Sequence, residues 1–231
     1  MKTIGMIGGM SWESTAVYYR IVNQEMQKRL GGVHSAKILL ASFDFEEIET
    51  LQTAGRWDEA TDRMVTAGVT LKKAGADFLM ILCNTMHLMS EAVERATGLP
   101  LLHIADPLGQ AMRQKAVGRA GLIGTRYTME KGGIVADRLK SKFDIETFAP
   151  DGADRIAIHR IIVDELVCGH FTAGSRAHYR EVMAKLVERG AEAIILGCTE
   201  ILLLVKPEDS TVPQFDTTTL HALAAVDLAL A

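Results

Sequence analysis

Ala74-Gly75-Ala76-Asp77-Phe78-Leu79-Met80-Ile81-Leu82-Cys83-Asn84-Thr85 and Arg189-Gly190-Ala191-Glu192-Ala193-Ile194-Ile195-Leu196-Gly197-Cys198-Thr199-Glu200 are two copies of one pattern. In each, Gly-Ala-acid leads into an apolar run that ends at a cysteine, eight residues beyond the glycine (75 to 83, 190 to 198). A second pair lies upstream. Ile4-Gly5-Met6-Ile7-Gly8 matches Ala120-Gly121-Leu122-Ile123-Gly124, 78 residues before the first cysteine and 77 before the second, counted from Gly5 and Gly121. Two anchors at matched spacing imply two homologous halves.

Around these anchors, apolar runs of four to seven residues alternate with longer amphipathic segments, the mark of βαβ units and parallel sheets. The pattern predicts strands over Lys2–Ile7, Lys37–Ser42, Asp77–Leu82, Leu101–Ile104, Arg119–Gly124, Ile145–Phe148 and Ala193–Gly197, with a stub at Gln214–Phe215. Helices are expected over Ser14–Leu30, Trp57–Ala74, Leu88–Thr97, Pro107–Lys115, Thr128–Phe143, Ala153–Cys168, Thr172–Arg189, Glu200–Leu204 and Thr218–Leu230. The fold class is α/β: two pseudo-symmetric lobes, each a parallel sheet flanked by helices, with the active site in the cleft between them. The lobes are expected to comprise residues 1–104 with 211–231 returning, and residues 105–210. Ligands of open parallel sheets sit beyond the carboxyl ends of the strands, where both Cys83 and Cys198 fall.

Composition narrows the function. Of 231 residues, 48% are hydrophobic and 23% charged, which excludes disorder, collagen and coiled-coil rods. Lys plus Arg number 25 against 29 acidic residues, for a net charge of −4, and no basic block occurs, so no nucleic-acid partner is expected. No apolar run reaches the roughly 18–20 residues of a membrane span. The Gly-rich N-terminus is too short for a signal peptide's apolar region. Three widely spaced cysteines form no disulfide framework, which points to a reducing, cytoplasmic setting.

A thiol has a pKa of about 8.5, so thiol and thiolate are both accessible near neutrality. One of each, on opposite faces of a carbon acid, can remove a proton from one face and deliver one to the other. The weakly acidic Cα proton requires donors that stabilise the developing carbanion. Asn84-Thr85 and Thr199-Glu200 follow the two cysteines, and Gly8-Gly9-Met10-Ser11 and Gly124-Thr125-Arg126-Tyr127-Thr128 are strand-to-helix turns whose backbone N–H groups suit a carboxylate.

The N-terminal Met1–Ser11 stretch, Cys83-Asn84-Thr85-Met86-His87 and Gly197-Cys198-Thr199-Glu200 resemble the aspartate/glutamate racemase family, and the likeness spans essentially the whole chain. Ser11-Trp12-Glu13-Ser14-Thr15 and Gly124–Glu130 are similar to its broad-specificity amino-acid racemase branch. The resemblance implies a racemase that uses neither pyridoxal phosphate nor metal, with an amino acid as substrate and a homodimer as assembly. By position, it implies Cys83 and Cys198 as the two catalytic bases, and Met10, Asn84, Thr85, Thr125, Thr128 and Thr199 around the substrate carboxylates. Strict aspartate racemases carry an Arg after the second strand, whereas Asp44–Gln52 here contains no cation. Gln52 is the expected substitute, and Glu165, where the family has a basic residue, is expected to hold the substrate ammonium.

Plainer readings stand beside these. Cys168 is expected in the core, on a helix stripe with Ile161, Ile162 and Leu166. Met80, Met86 and Met89 read as packing residues, Trp12 as packing in preference to a residue stacked near the cleft, and Glu46, Glu47 and Glu49 as a solvated face. His87 could orient Cys83, but lacks a second ligand pair for metal. His103 and Asp106 suit a structural hydrogen bond. Glu200 could set Thr199 or the thiol, or simply favour its helix N-terminus. Gly5-x-x-Gly8-Gly9 is not a dinucleotide fingerprint. Rival functions are a hydantoin racemase, maleate isomerase or arylmalonate decarboxylase, the last typically keeping one thiol. A Cys-nucleophile hydrolase and a non-catalytic two-lobed binding protein are further rivals.

Overall fold

The computed structural model describes residues 1–130 and 133–231. The chain divides into two compact units, Met1–His103 with His221–Ala231, and Ile104–Leu220. In chain order the first unit contains β1 (Ile4–Gly8), α1 (Trp12–Leu30), β2 (Ile38–Ser42), α2 (Phe45–Thr53), α3 (Trp57–Lys73), β3 (Phe78–Ile81), a 3-10 turn (Thr85–Met89), α4 (Ser90–Thr97) and β4 (Leu101–Leu102). The second contains α5 (Ala105–Gln114), β5 (Arg119–Gly124), α6 (Arg126–Met129), α7 (Ile134–Phe143), β6 (Glu146–Phe148), α8 (Gly152–Asp164), α9 (Ala173–Glu188), β7 (Ala193–Gly197), α10 (Ile201–Leu204) and β8 (Gln214–Asp216). The last helix, α11 (Thr217–Leu230), begins in the second unit and belongs to the first from His221 onward.

Each unit has one four-stranded, all-parallel sheet. The orders are β2-β1-β3-β4 and β6-β5-β7-β8, the same topology twice. The register repeats as well. Gly5 lies opposite Leu79, four residues before Cys83, and Gly121 lies opposite Ile194, four residues before Cys198. The two sequence anchors are thus neighbouring strands in both sheets. Central strands β1, β3 and β7 are buried along their whole length, because helices cover both faces and every side chain is removed from water.

In the first unit, Ile7, Leu79 and Ile81 pack on one side with Met64, Leu71 and Val93 of α3 and α4. Ile4, Met6 and Met80 pack on the other with Tyr18, Val22 and Met26 of α1 and the small residues Ala222, Ala225, Val226 and Ala229 of α11. Each large apolar side chain so buried contributes about 1.5–3 kcal/mol. Met80, Met86 and Met89 are core residues as expected. The second unit repeats the layering, with α8 and α9 on one face of its sheet and α5 and α7 on the other.

Several expectations change. The helix expected over 128–143 includes Lys131 and Gly132, which lie outside the described residues; beside them stand the separate helices α6 and α7. Helix α2, with Ile48, Leu51 and Gln52 buried, was not expected, because its acidic run masks its three inward residues. The helix expected to run through Cys168 stops at Asp164. A 3-10 turn over Leu166–Cys168 then changes the angular phase, so Leu166 is buried and Cys168 is exposed, not core. Trp12, the first residue of α1, is 65% exposed rather than packed. Strand β8 pairs with β7, which keeps residues 211–220 with the second unit and moves the return to the first from 211 to 221. Among the described residues, no helix is long and apolar enough to cross a membrane.

Candidate functional site

In a sheet of this topology the chain turns in opposite directions from the two central strands, and a crevice opens beyond their carboxyl ends. In the first unit that point lies between β1 and β3. The turn after β1 is pinned by Thr15, whose hydroxyl accepts from the Gly9 N–H at 2.9 Å and donates to the Ser11 carbonyl at 2.8 Å. Gly9 has φ +81°, and a Cβ there would strike the backbone N and O of Phe43, so only glycine fits. The next central strand delivers Cys83, half-buried, followed by buried Asn84 and Thr85 at the start of the 3-10 turn.

His87, fully buried, places Nδ1 2.8 Å from the Cys83 carbonyl oxygen. That oxygen can only accept, so Nδ1 carries the proton. The His87 ring lies 4.6 Å from that of His103 and 5.8 Å from that of His221. His221 Nε2 donates to the Leu102 carbonyl at 2.9 Å, which leaves Nδ1 to accept from the Tyr18 hydroxyl at 3.1 Å. A buried framework of three imidazoles and one phenol therefore stands behind the Cys83 peptide. Sequence reasoning missed His221 and Tyr18, which are 203 residues apart; a polar residue at the inward side of the Ala-rich last helix was the available signal.

Gln52 is buried at the end of α2 and its amide donates to Met86 Sδ at 3.1 Å. The Met10 side chain is also buried, in the cluster that holds Met86, Ile48 and Leu51. The fold therefore brings Met10, Gln52 and the Asn84-Thr85 segment into one unit around the end of β3.

In the second unit the corresponding point lies between β5 and β7. Gly124 and Gly197 lie opposite each other, so close that a Cβ on Gly124 would stand 2.7 Å from the Gly197 carbonyl. Thr125 caps α6, its hydroxyl accepting from the Thr128 N–H at 3.4 Å and lying 3.2 Å from the Thr128 hydroxyl. Buried Cys198 donates its Sγ–H to Glu200 Oε2 at 3.0 Å, and the Thr199 hydroxyl donates to the same oxygen at 3.0 Å. Glu200 thus sets both residues, as one reading of the sequence expected. The start of α11 supports this loop: Thr217 donates to the Leu196 carbonyl at 2.9 Å and Thr218 to the Thr199 carbonyl at 3.4 Å.

Glu165 is taken up locally, accepting from Ser175 at 2.5 Å and Thr172 at 3.4 Å. Tyr179, which sequence reasoning did not single out, is fully buried in the cluster that contains Cys198. Burial foremost, then negative charge on Cys198 when it is a thiolate, on Glu200 and on Glu165, pushes its phenol well above the ordinary range. Asp106 makes structural hydrogen bonds of the kind expected, accepting from Arg138 and Lys142, and the His103 ring packs on that of His87. Among the described residues, no cluster of three or more His, Cys, Asp or Glu side chains is arranged to hold a metal ion.

A family model described as Asp/Glu/hydantoin racemase matches residues 7–225. The broad specificity amino-acid racemase RacX of Bacillus subtilis is 26% identical over 238 residues, covering 99% of this chain and 98% of that protein. The crystal structure of a candidate Asp/Glu racemase from Yersinia pestis is 51% identical, covers 100% of both chains and superposes with a TM-score of 0.91. An aspartate racemase homologue from Pyrococcus horikoshii OT3 is 28% identical with a TM-score of 0.83, again over 100% of both chains.

Proposed function

This chain is a member of the Asp/Glu/hydantoin racemase family, a family of isomerases, and on that premise we propose that it racemises free amino acids by a two-thiol, cofactor-independent proton transfer at Cα. One observation carries the reading: each unit presents a cysteine at the same register, just beyond the same central strand, with hydroxyl and amide donors next to it. In the proposed reaction the thiolate of one cysteine takes the Cα proton from one face, and the thiol of the other returns a proton to the opposite face. The electron pair left on carbon passes transiently toward the substrate carboxylate. The backbone N–H groups of the turns after β1 and β5, together with Asn84, Thr85, Thr125, Thr128 and Thr199, stabilise that charge.

Neither metal nor pyridoxal phosphate has a step in this scheme, because the two sulfurs supply both acceptor and donor. With Gln52 in place of a side-chain-gripping Arg, the reading extends to uncharged as well as acidic amino acids. Glu165 is the proposed holder of the substrate ammonium, and must then exchange its Ser175 and Thr172 partners for it. The proposed setting is reducing and cytoplasmic, which keeps the two thiols reduced, and a homodimer is the proposed assembly.

The test is proton NMR in D₂O with purified enzyme and reductant, using L-Glu, L-Asp, L-homoserine and further L-amino acids, with chiral chromatography alongside. Loss of the Cα–H signal with appearance of the D-form is the expected result. Absence of exchange on every amino acid tried overturns the reading and turns attention to hydantoins and maleate.

A further inference from the structure

The Tyr179 hydroxyl is an unexplained group in the second unit. The residue belongs to α9, is 0% exposed, and its hydroxyl has no hydrogen-bond partner among the described residues. A buried hydroxyl left unsatisfied costs about 1–3 kcal/mol, so phenylalanine would be the better residue if packing alone mattered. The same cluster holds Cys198, whose thiol donates to Glu200 at 3.0 Å. That pair has one proton between sulfur and carboxylate. Once the proton leaves, a thiolate and a carboxylate face each other in an apolar enclosure, with the Thr199 hydroxyl already committed to the same carboxylate oxygen.

We propose that Tyr179 is a positioning residue for Cys198: its buried hydroxyl is the reserve donor that turns to the Cys198–Glu200 pair when the thiol gives up its proton. The proposal rests on the reading that Cys198 transfers a proton. No bond to oxygen breaks in this step. The thiol proton goes to the substrate carbon, the sulfur keeps the electron pair, and the phenol donates a hydrogen bond while keeping its own proton. Negative charge at Glu200, at Glu165 and, once its proton has left, at Cys198 acts on the phenol. Ser175 and Thr172 already donate to Glu165.

The experiment reads Cys198 directly. In a Cys83→Ser, Cys168→Ser background, alkylation by iodoacetamide is followed by intact mass from about pH 5 to about pH 9. Adding Tyr179→Phe is expected to move the alkylation midpoint upward by about one pH unit, a roughly tenfold slower reaction at neutral pH. Glu200→Gln, which removes the facing carboxylate, is expected to move it downward and to shrink the effect of Tyr179→Phe. An unchanged midpoint in Tyr179→Phe, with thermal stability equal or higher, overturns the proposal and leaves Tyr179 a packing residue. The profile is readable whether or not the protein turns over an amino acid, so failure of the proposed reaction and failure of this role are separate results.

Discussion

The Nδ1–H of His87 donates to the carbonyl oxygen of Cys83 at 2.8 Å, across the first turn of the 3-10 segment that follows β3. The thiol-bearing peptide is thereby tied to a buried imidazole, which is itself wedged against His103 and His221. Because Nδ1 is directed at the peptide, this nitrogen does not serve as the thiol-activating base of a hydrolase.

His87→Ala removes that bond and leaves a cavity where a fully buried ring stood. The expected loss is about 2–4 kcal/mol of unfolding free energy. Any racemisation should fall with it, as the Cys83 peptide loses its anchor. Urea denaturation of wild type and variant checks this, and equal midpoints would contradict the anchoring role.

Cys83→Ser and Cys198→Ser should each reduce racemisation by about 10²–10⁴-fold, the usual range for losing a positioned acid or base. Either single variant can retain exchange of the Cα proton from the face that keeps its thiol. Wild-type racemisation in both variants would sink the two-thiol mechanism.

Gly124→Ala should destabilise the second unit by about 1–3 kcal/mol and disturb Cys198, because the added methyl meets the backbone carbonyl of Gly197 at 2.7 Å and a carbonyl in a ladder cannot step aside. Gly152→Ala is the internal control. A Cβ there meets nothing within 4 Å, at the first residue of α8, so stability should be unchanged or slightly higher. Thermal melts of the two variants side by side decide the matter.

Asp106 links stability of the second unit to pH. Burial alone would raise its pKa from the ordinary 3.8, but hydrogen bonds from Arg138 at 2.6 and 2.7 Å and from Lys142 at 3.1 Å outweigh burial and lower it. A lowered carboxyl pKa contributes stability above the unfolded value, and that stability is lost as pH falls through the folded value. Asp106→Asn is therefore expected to cost about 1–2 kcal/mol at neutral pH and progressively less below about pH 4, where the two stability curves converge. Parallel curves down to acid pH would show that the ion pair contributes nothing.

Much of the fold was legible because its constraints are local and occur twice. Gly5 and Gly121 lie where a side chain would collide with a packed neighbour: Leu79 of the adjacent strand at 2.6 Å for one, Leu186 of α9 at 2.9 Å for the other. The apolar strands after Gly75 and Gly190 are covered on both faces, so they read as unbroken runs. Helix α2 was hidden because only Ile48, Leu51 and Gln52 face inward among acidic neighbours. Cys168 was misplaced because a change from α-helical to 3-10 winding, closed by Gly169 at φ +74°, rotates every residue after Glu165. A periodicity argument assumes constant winding and cannot register that rotation.

The sequence alone determined the architecture of two like parallel sheets and placed Cys83 and Cys198 beyond equivalent strand ends, because β-strand period, strand burial and turn chemistry act over a few residues. Only the tertiary structure decided what surrounds those thiols. Tyr18 meets His221 across 203 residues of chain, and Thr217 supports Leu196 across 21. Tyr179 reaches the Cys198 cluster from α9, a helix that ends before the thiol's strand begins. Such contacts depend on how helices seat on a sheet, and that seating is the joint result of every side chain in the core.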